Sequence, residues 1–393
     1  MPYAQGRIYC DADSHIVELP DWLIGYADPG IRERLATLSL GFAGAGASEA
    51  IAKAQARRGN PLELARLEEN PIQGPKGWYA LGAYDSAERS RALDRLGFSK
   101  QLVFSTFAFT QFTGGDLELL YGGTRAHNRA MADFCSRDDR LLGVGYVPLE
   151  DPERALREAD EAIRLGCAAI AVPTRPPNDR SPTHPVYDPL WALLQDSGVP
   201  LMLHIGLGGG RIIRPAFHRN GRRVTDFLGG GENLRSKDFM ALHGAAEIFL
   251  ACMVLDGVFE RFPGLRCGCI ENGAMWAVPL LRRLDLAQDM FQKSEPDLAL
   301  PLRASEYVRR QVRFTPFAGE PVGWLIEQAG PELFLFSSDY PHPEGTRDPI
   351  GRFEATLDGV STDARERFYA QNFLDLMGLA SLQASRLAAS LRP

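Results

Sequence analysis

The sequence predicts an α/β chain folded as a (β/α)8 barrel, and three observations lead there. Eight short apolar runs recur along the 393 residues, unbroken rather than alternating, as in strands that are covered on both faces. Capped helical patterns fall between several of them. Acids or histidines stand at the ends of four runs, where barrels of this type carry their chemistry.

In chain order the runs are "GRIYCDAD" near 6–13, "QLVFST" at 101–106, "LLGVGYVPL" at 141–149, "CAAIAVP" at 167–173, "PLMLHIG" at 200–206, "LRCGCIE" at 265–271, "VRFTPF" at 312–317 and "LFLFSSD" at 333–339. The segment "DPERALREADEAIRLG" opens on an Asp cap, keeps three-to-four apolar spacing and stops at Gly166; "DPLWALLQDSG" is expected to behave the same way and stop at Gly198. Strands alternating with helices give a barrel or an open doubly wound sheet. For the open sheet speaks "HIGLGGG" after the fifth run, a glycine cradle for a phosphate, but it lacks both G-x-G-x-x-G spacing and a helix directly behind it. One domain spanning 1–393 is expected, with a helical insertion after strand 1 (19–100) and a lid-like loop after strand 5 (207–240), since loops this long in a compact domain usually cover or bind something.

Apolar residues make up 45% of the chain and charged residues 24%, enough for a large core. A net charge of −7 speaks against nucleic acid or an anionic membrane as partner. The six cysteines lack paired C-x-x-C spacing and read as reduced core thiols. The start carries no basic region followed by an apolar one, and no run is expected to reach the ~18 apolar residues of a membrane span. The expectation is a cytoplasmic protein with a small molecule as partner, assembling as a homodimer.

The strand ends carry the candidate chemistry. Asp11, Asp13 and His15 alternate, so an extended strand places them on one face. His204 ends the fifth run, Glu271 the sixth and Asp339 the eighth. Each has a plain explanation alone: an aspartate caps a turn, a histidine sits satisfied in a core, Asp339 pairs with an arginine. Their coincidence at predicted strand ends favours a divalent ion, zinc first and manganese if oxygen ligands dominate.

These motifs resemble the amidohydrolase-2 family. The likeness rests on Asp13-Ser14-His15 within "DADSHIVE", His204 in "PLMLHIG", Asp339 in "SSDYPHPEG", and the stretches "NRAMADFCSRDDRLLGVGYVPLEDPERA" and "GVFERFPGLRCGCIENGAMWAVPLLRRLD". It covers most of 7–20 and 90–380 and is weak across 30–85 and 207–240. The resemblance implies a metal-dependent barrel with an H-x-H or E-x-H element, further histidines and an aspartate. One departure stands out. Where many decarboxylases of the family place an acid/base histidine after strand 6, this chain reads Glu271-Asn272-Gly273.

The ligand set implied is Asp13, His15, His204 and Asp339, with Glu271; Asp339, Glu271 and His342 are the candidate catalytic groups. For substrate, Arg211 and Arg214 in the long loop suit a carboxylate, Phe107 an aromatic wall, and His218 a polar contact. The leading expectation is a hydrolase in which a metal-activated water attacks a small aromatic or ring-derived carboxylate. A non-oxidative decarboxylase or hydratase on the same scaffold is the first alternative, and a barrel that only binds a ligand or partner the second.

Overall fold

A computed structural model describes residues 1–36, 38, 46–207, 212–222, 234–296 and 299–379. Seven parallel strands pair in chain order: β1 (Cys10–Ile16), β2 (Lys100–Ser105), β3 (Leu141–Tyr146), β4 (Ala169–Ala171), β5 (Leu201–His204), β6 (Cys267–Ile270) and β7 (Val312–Phe314). The eighth apolar run is no regular strand, yet it closes the ring. On one side Leu335 N–H donates to Phe314 O (2.9 Å). On the other Ala12 N–H donates to Phe336 O (3.0 Å), Asp339 N–H to Asp13 O (2.9 Å) and His15 N–H to Tyr340 O (2.8 Å). The fold is the predicted (β/α)8 barrel.

Period-two alternation sorts the strands' side chains into two layers. Leu102, Phe104, Ala169, Ala171, Met202 and Ile270 fill the barrel interior. Val103, Ile170, Leu201, Leu203, Cys267 and Cys269 face the helices. The buried strand interior is the reason these runs are apolar without a break.

The helix Pro152–Leu165 is capped as expected, with Asp151 accepting from Glu153 N–H and Arg154 N–H and Gly166 left-handed at its end (φ 101°). The helix Asp188–Ser197 also ends on its glycine, but Asp188 lies inside the first turn; a single turn, Pro185–Tyr187, precedes it and is capped by His184. The stretch 19–100 holds the helices Ala47–Arg57, Pro61–Glu69 and Ser86–Leu96. Between the first and last of these, buried Arg57 donates from Nη1 to both carboxylate oxygens of Glu88 (3.0 Å each).

One sequence expectation needs correcting. Ser236–Leu255, of mean hydropathy 1.6, is long and apolar enough to cross a membrane by length and composition. In the fold it is two helices, Ser236–Phe239 and Gly244–Leu255, and the second buries Phe249, Leu250 and Met253 in the helix layer.

Candidate metal centre

The site begins with an irregularity in β1. Pairing runs Asp11 with Gln101 but Ser14 with Val103, so β1 carries one residue more than β2 there. Such a bulge reverses which face later side chains take. Cys10 and Ala12 point inward before it, and Asp13 and His15 reach the same interior after it. Asp11 therefore does not share their face, contrary to the simple alternation. It lies toward the helix layer, accepting from Ser338 N–H (2.8 Å), Ser338 Oγ (2.6 Å) and Gln101 Nε2 (2.8 Å).

Above the interior layer, Asp13, His15, His204 and Glu271 converge, and so do His15, Glu271, Asp339 and His342; in each group the donor atoms lie within 4.8 Å of one another. His15 Nε2 is 3.2 Å from Asp13 Oδ1, 3.6 Å from Asp339 Oδ1 and 3.8 Å from Glu271 Oε2. His204 Nε2 is 3.4 Å from Asp13 Oδ1 and 3.3 Å from Glu271 Oε2. His204 ends β5, and its Nδ1 sits 2.7 Å from the Ile205 carbonyl. That contact puts the proton on Nδ1 and leaves the Nε2 lone pair facing the cluster, the usual arrangement of a ligating histidine.

Both outer acids stand in left-handed backbone, Glu271 at φ 54° and Asp339 at φ 52°. Non-glycine residues adopt this only when surrounding structure holds them there. For Glu271 the hold is Thr315 Oγ1, which accepts its N–H (2.8 Å), and Asn272 Nδ2, which donates to Ile270 O (2.7 Å). Gly273 follows with φ 67°, and a Cβ there would meet Glu320 Oε1 and the Phe317 ring at 2.9 Å. Glu320 itself receives Ala274 N–H (2.8 Å) and Phe317 N–H (3.1 Å), fastening the turn to the loop after β7.

No lysine or arginine among the described residues lies within ion-pair distance of Asp339. It faces imidazoles: Oδ1 is 3.0 Å from His342 Nδ1 as well as 3.6 Å from His15. His342 is stacked on His15 (centroids 3.8 Å apart) and its Nε2 is 2.9 Å from Thr106 Oγ1. Burial raises the Asp339 carboxyl above its ordinary range, against the pull of His342. Burial works in the same sense on Asp13, but contacts from His15 and His204 outweigh it and hold that carboxyl low. Burial, followed by the charge of His342, pushes His15 down to about 3, so it is a neutral imidazole.

The donors fit a divalent ion. Three carboxylates share a buried space whose nearest basic neighbours are histidines, one of them neutral, an arrangement that is costly without a cation. Both ring nitrogens of His15, and Oδ1 of Asp339, are buried with no hydrogen-bond partner. Donors about 2.1 Å from a common ion lie about 3–3.5 Å apart, close to the separations around His15 and His204.

The cluster stands in a cavity of about 1020 Å³, lined by Asp13, Glu271 and Asp339 on one side and by Leu242, Phe239 and Phe317 on another. Of the candidate substrate residues, those described are not on its wall. Phe107 is buried and stacked on Trp78 (5.3 Å, 11°), and so belongs to the core. His218 is held by Asp238 (2.9 Å), and Arg214 is exposed at the start of a short turn. Arg211 lies outside the described residues.

Several supports escaped the sequence reading. Arg89, wholly buried on the helix Ser86–Leu96, donates to Gly82 O (2.8 Å), to Gln101 Oε1 (3.0 Å) and to the carbonyl of His15. Glu18 accepts Thr106 N–H (2.8 Å) and Phe107 N–H (2.9 Å), and so sets Thr106 against His342. No local pattern marks Glu18. For Arg89 the signal is its place beside Ala92, Leu93 and Leu96 on the buried face of its helix.

Comparison with known proteins agrees with this architecture. An amidohydrolase from Mycobacterium avium subsp. paratuberculosis K-10 superposes with a TM-score of 0.73 at 23% identity, covering 95% of this chain and 100% of its own. The 5-carboxyvanillate decarboxylase of Sphingomonas paucimobilis gives 0.62 at 20% identity, over 95% and 99%. That of Novosphingobium aromaticivorans DSM 12444, complexed with manganese and 4-hydroxy-3-methoxy-5-nitrobenzoic acid, gives 0.63 at 19%, over 96% and 99%. At these identities the likeness speaks for the fold. The family model for amidohydrolases matches residues 10–378, nearly the whole barrel with all six cluster residues, and the chain belongs to that family.

Proposed function

We propose that the chain is a metal-dependent decarboxylase of a small aromatic carboxylate. The observation that carries this is Asp339, a carboxyl raised by burial at the floor of a partly aromatic cavity, next to the donor set and 3.0 Å from His342. A divalent ion held by Asp13, His15, His204 and Glu271 would supply the positive charge that binds an anionic substrate group. Manganese suits the set better than zinc, because oxygen donors contribute as much as nitrogen. Manganese also accompanies the Novosphingobium decarboxylase.

In the proposed reaction, protonated Asp339 hands its proton to the ring carbon bearing the carboxylate. The carbon–carbon bond then breaks, its electron pair stays with the ring, and CO2 leaves. His342, at Nδ1, returns a proton to Asp339, while Thr106 holds the far side of its ring. Phe239, Phe317 and Leu242 keep water from the ring face.

Hydrolysis is the second reading, and Glu271 favours it: with this carboxylate in the donor set, Asp339 stays free to take a proton from water. One assay separates the two. The manganese-loaded protein is offered hydroxylated benzoates and, separately, aryl esters and anilides. CO2 release that disappears in Asp339→Asn supports decarboxylation. Ester or anilide cleavage without CO2 release replaces it with hydrolysis.

A further inference from the structure

Two guanidinium groups line the same cavity as the carboxylates. Arg347 lies in the loop after the eighth apolar run, and Arg352 in the helix Pro349–Glu354. Neither forms an ion pair among the described residues, although acids lie close by. Those acids are engaged elsewhere: Asp348 accepts from the Tyr3 hydroxyl (2.8 Å) and Gly351 N–H (3.1 Å), and Glu354 pairs with Arg365. Glu344 leans toward His342 (3.8 Å).

A third cation adds to the same side. Lys76, from the insertion after β1, has its ammonium buried with no hydrogen-bond partner, 5.2 Å over the Tyr340 ring. Its segment is tied to the loop by Gly77 N–H donating to Pro341 O (2.7 Å). Burial pushes Lys76 down to about 8; the charge of Asp339 opposes that shift and the charge of Arg347 adds to it. Positive charge thus gathers beside the loop after the eighth run, with Asp339 the carboxylate that acts most strongly on Lys76. Phe239 and Phe317, with rings 5.6 Å apart and tilted by 39°, add an apolar wall to the same cavity.

We propose that Arg347 and Arg352 bind a second anionic group of the substrate, remote from the group that reacts, so that the substrate class is an aromatic diacid. This rests on the reading of the cavity as the substrate site. A guanidinium offers paired donors matched to a carboxylate, whereas an arginine left in water gains little from a distant charge. A monoacid would fill the apolar wall and leave both arginines hydrated.

The test is calorimetric binding of isophthalate and of benzoate to manganese-loaded protein. The wild type is expected to prefer isophthalate by about tenfold or more, which is about 1.4 kcal/mol. The Arg347→Ala/Arg352→Ala protein should lose that preference while keeping wild-type manganese content and urea midpoint. The Arg347→Lys/Arg352→Lys protein, with charge but no fork, should keep part of it. Equal affinity for both acids in the wild type overturns the proposal, as does a preference that survives in the alanine variant. The decarboxylase reading is judged separately by CO2 release. A diacid preference without CO2 release keeps this site and removes that reaction, and CO2 release from monoacids with no diacid preference does the reverse.

Discussion

Arg89 offers the most demanding test of how the barrel holds its donor set. Its guanidinium is fully buried and donates to the carbonyls of Gly82 and His15 and to Gln101 Oε1. Burial disfavours its charge, and no carboxylate among the described residues pairs with it directly; Asp11 acts on it from a distance, with Gln101 bonded between the two. Replacement by methionine keeps most of the stem's volume and removes the buried charge, which is favourable. It also leaves three buried acceptors without donors, at about 1–3 kcal/mol each. Set against the relief of charge, a net loss of about 3–5 kcal/mol is expected, in line with removing one partner from a buried charged network. Urea unfolding of Arg89→Met and wild type should show it as a lower midpoint at an unchanged slope. The same change frees the His15 backbone, so manganese affinity should fall about 10- to 100-fold, as for other groups that orient a ligand. Arg89→Lys, with one point charge for three acceptors, should fall between. Wild-type stability and manganese affinity in Arg89→Met would refute the reasoning outright. Lower stability with unchanged affinity would leave Arg89 a core residue and remove its link to the site.

Two further outcomes follow from the cluster and its surroundings. His204→Ala and Glu271→Gln should both lose tightly bound manganese with far-UV circular dichroism preserved, whereas Asp339→Asn should keep it; elemental analysis of purified proteins checks this, and full metal content in the first two would place the ion elsewhere. Burial pushes Glu18 and Asp11 up to about 7 from ordinary values near 4. Between those values the folded chain holds protons that the unfolded chain has released, so stability falls as pH rises from about 4 to about 7. Glu18→Gln removes one of the two groups and should flatten that fall by up to about 1.4 kcal/mol per pH unit, measured by urea unfolding of metal-free protein at pH 5 and pH 7; an unchanged slope would show that Glu18 does not titrate there.

Much of the fold was legible because a barrel strand buried on both faces must be apolar throughout, and that leaves a mark on short stretches of sequence. Seven predicted runs became strands, with their ends moved by a few residues. The eighth differs for a physical reason. Residues 333–340 bond to β7 at Phe334 and to β1 at Tyr340 through single bridges, and the backbone turns left-handed at Asp339, so the ladder is never regular. Candidate ligands were legible for a related reason, since Asp13, His15, His204, Glu271 and Asp339 are polar residues in or just after such runs. The substrate residues were not. A loop's composition singles out Arg214 and His218, but composition carries no direction, and the arginines on the cavity wall are Arg347 and Arg352, in a plain helix-and-loop stretch.

The bulge in β1 explains why a pattern can lead to the right ligands for an incomplete reason. Strict alternation would place Asp11, Asp13 and His15 together, and would leave Cys10 and Ala12 facing the helices. One extra residue reverses the second half of the strand, so Cys10 and Ala12 pack in the barrel while Asp13 and His15 stand above them. Asp11 is thereby released to the outer side, where it receives Ser338 from the closing segment and Gln101 from β2. The same irregularity thus does two things that a regular strand cannot do at once. It turns two donors into the site, and it supplies a carboxylate that fixes the segment bearing Asp339. Through Gln101 and Arg89 that carboxylate is tied to the insertion helix Ser86–Leu96, and Arg89 returns to the carbonyl of His15. The insertion is in this way part of what holds the donor set in place.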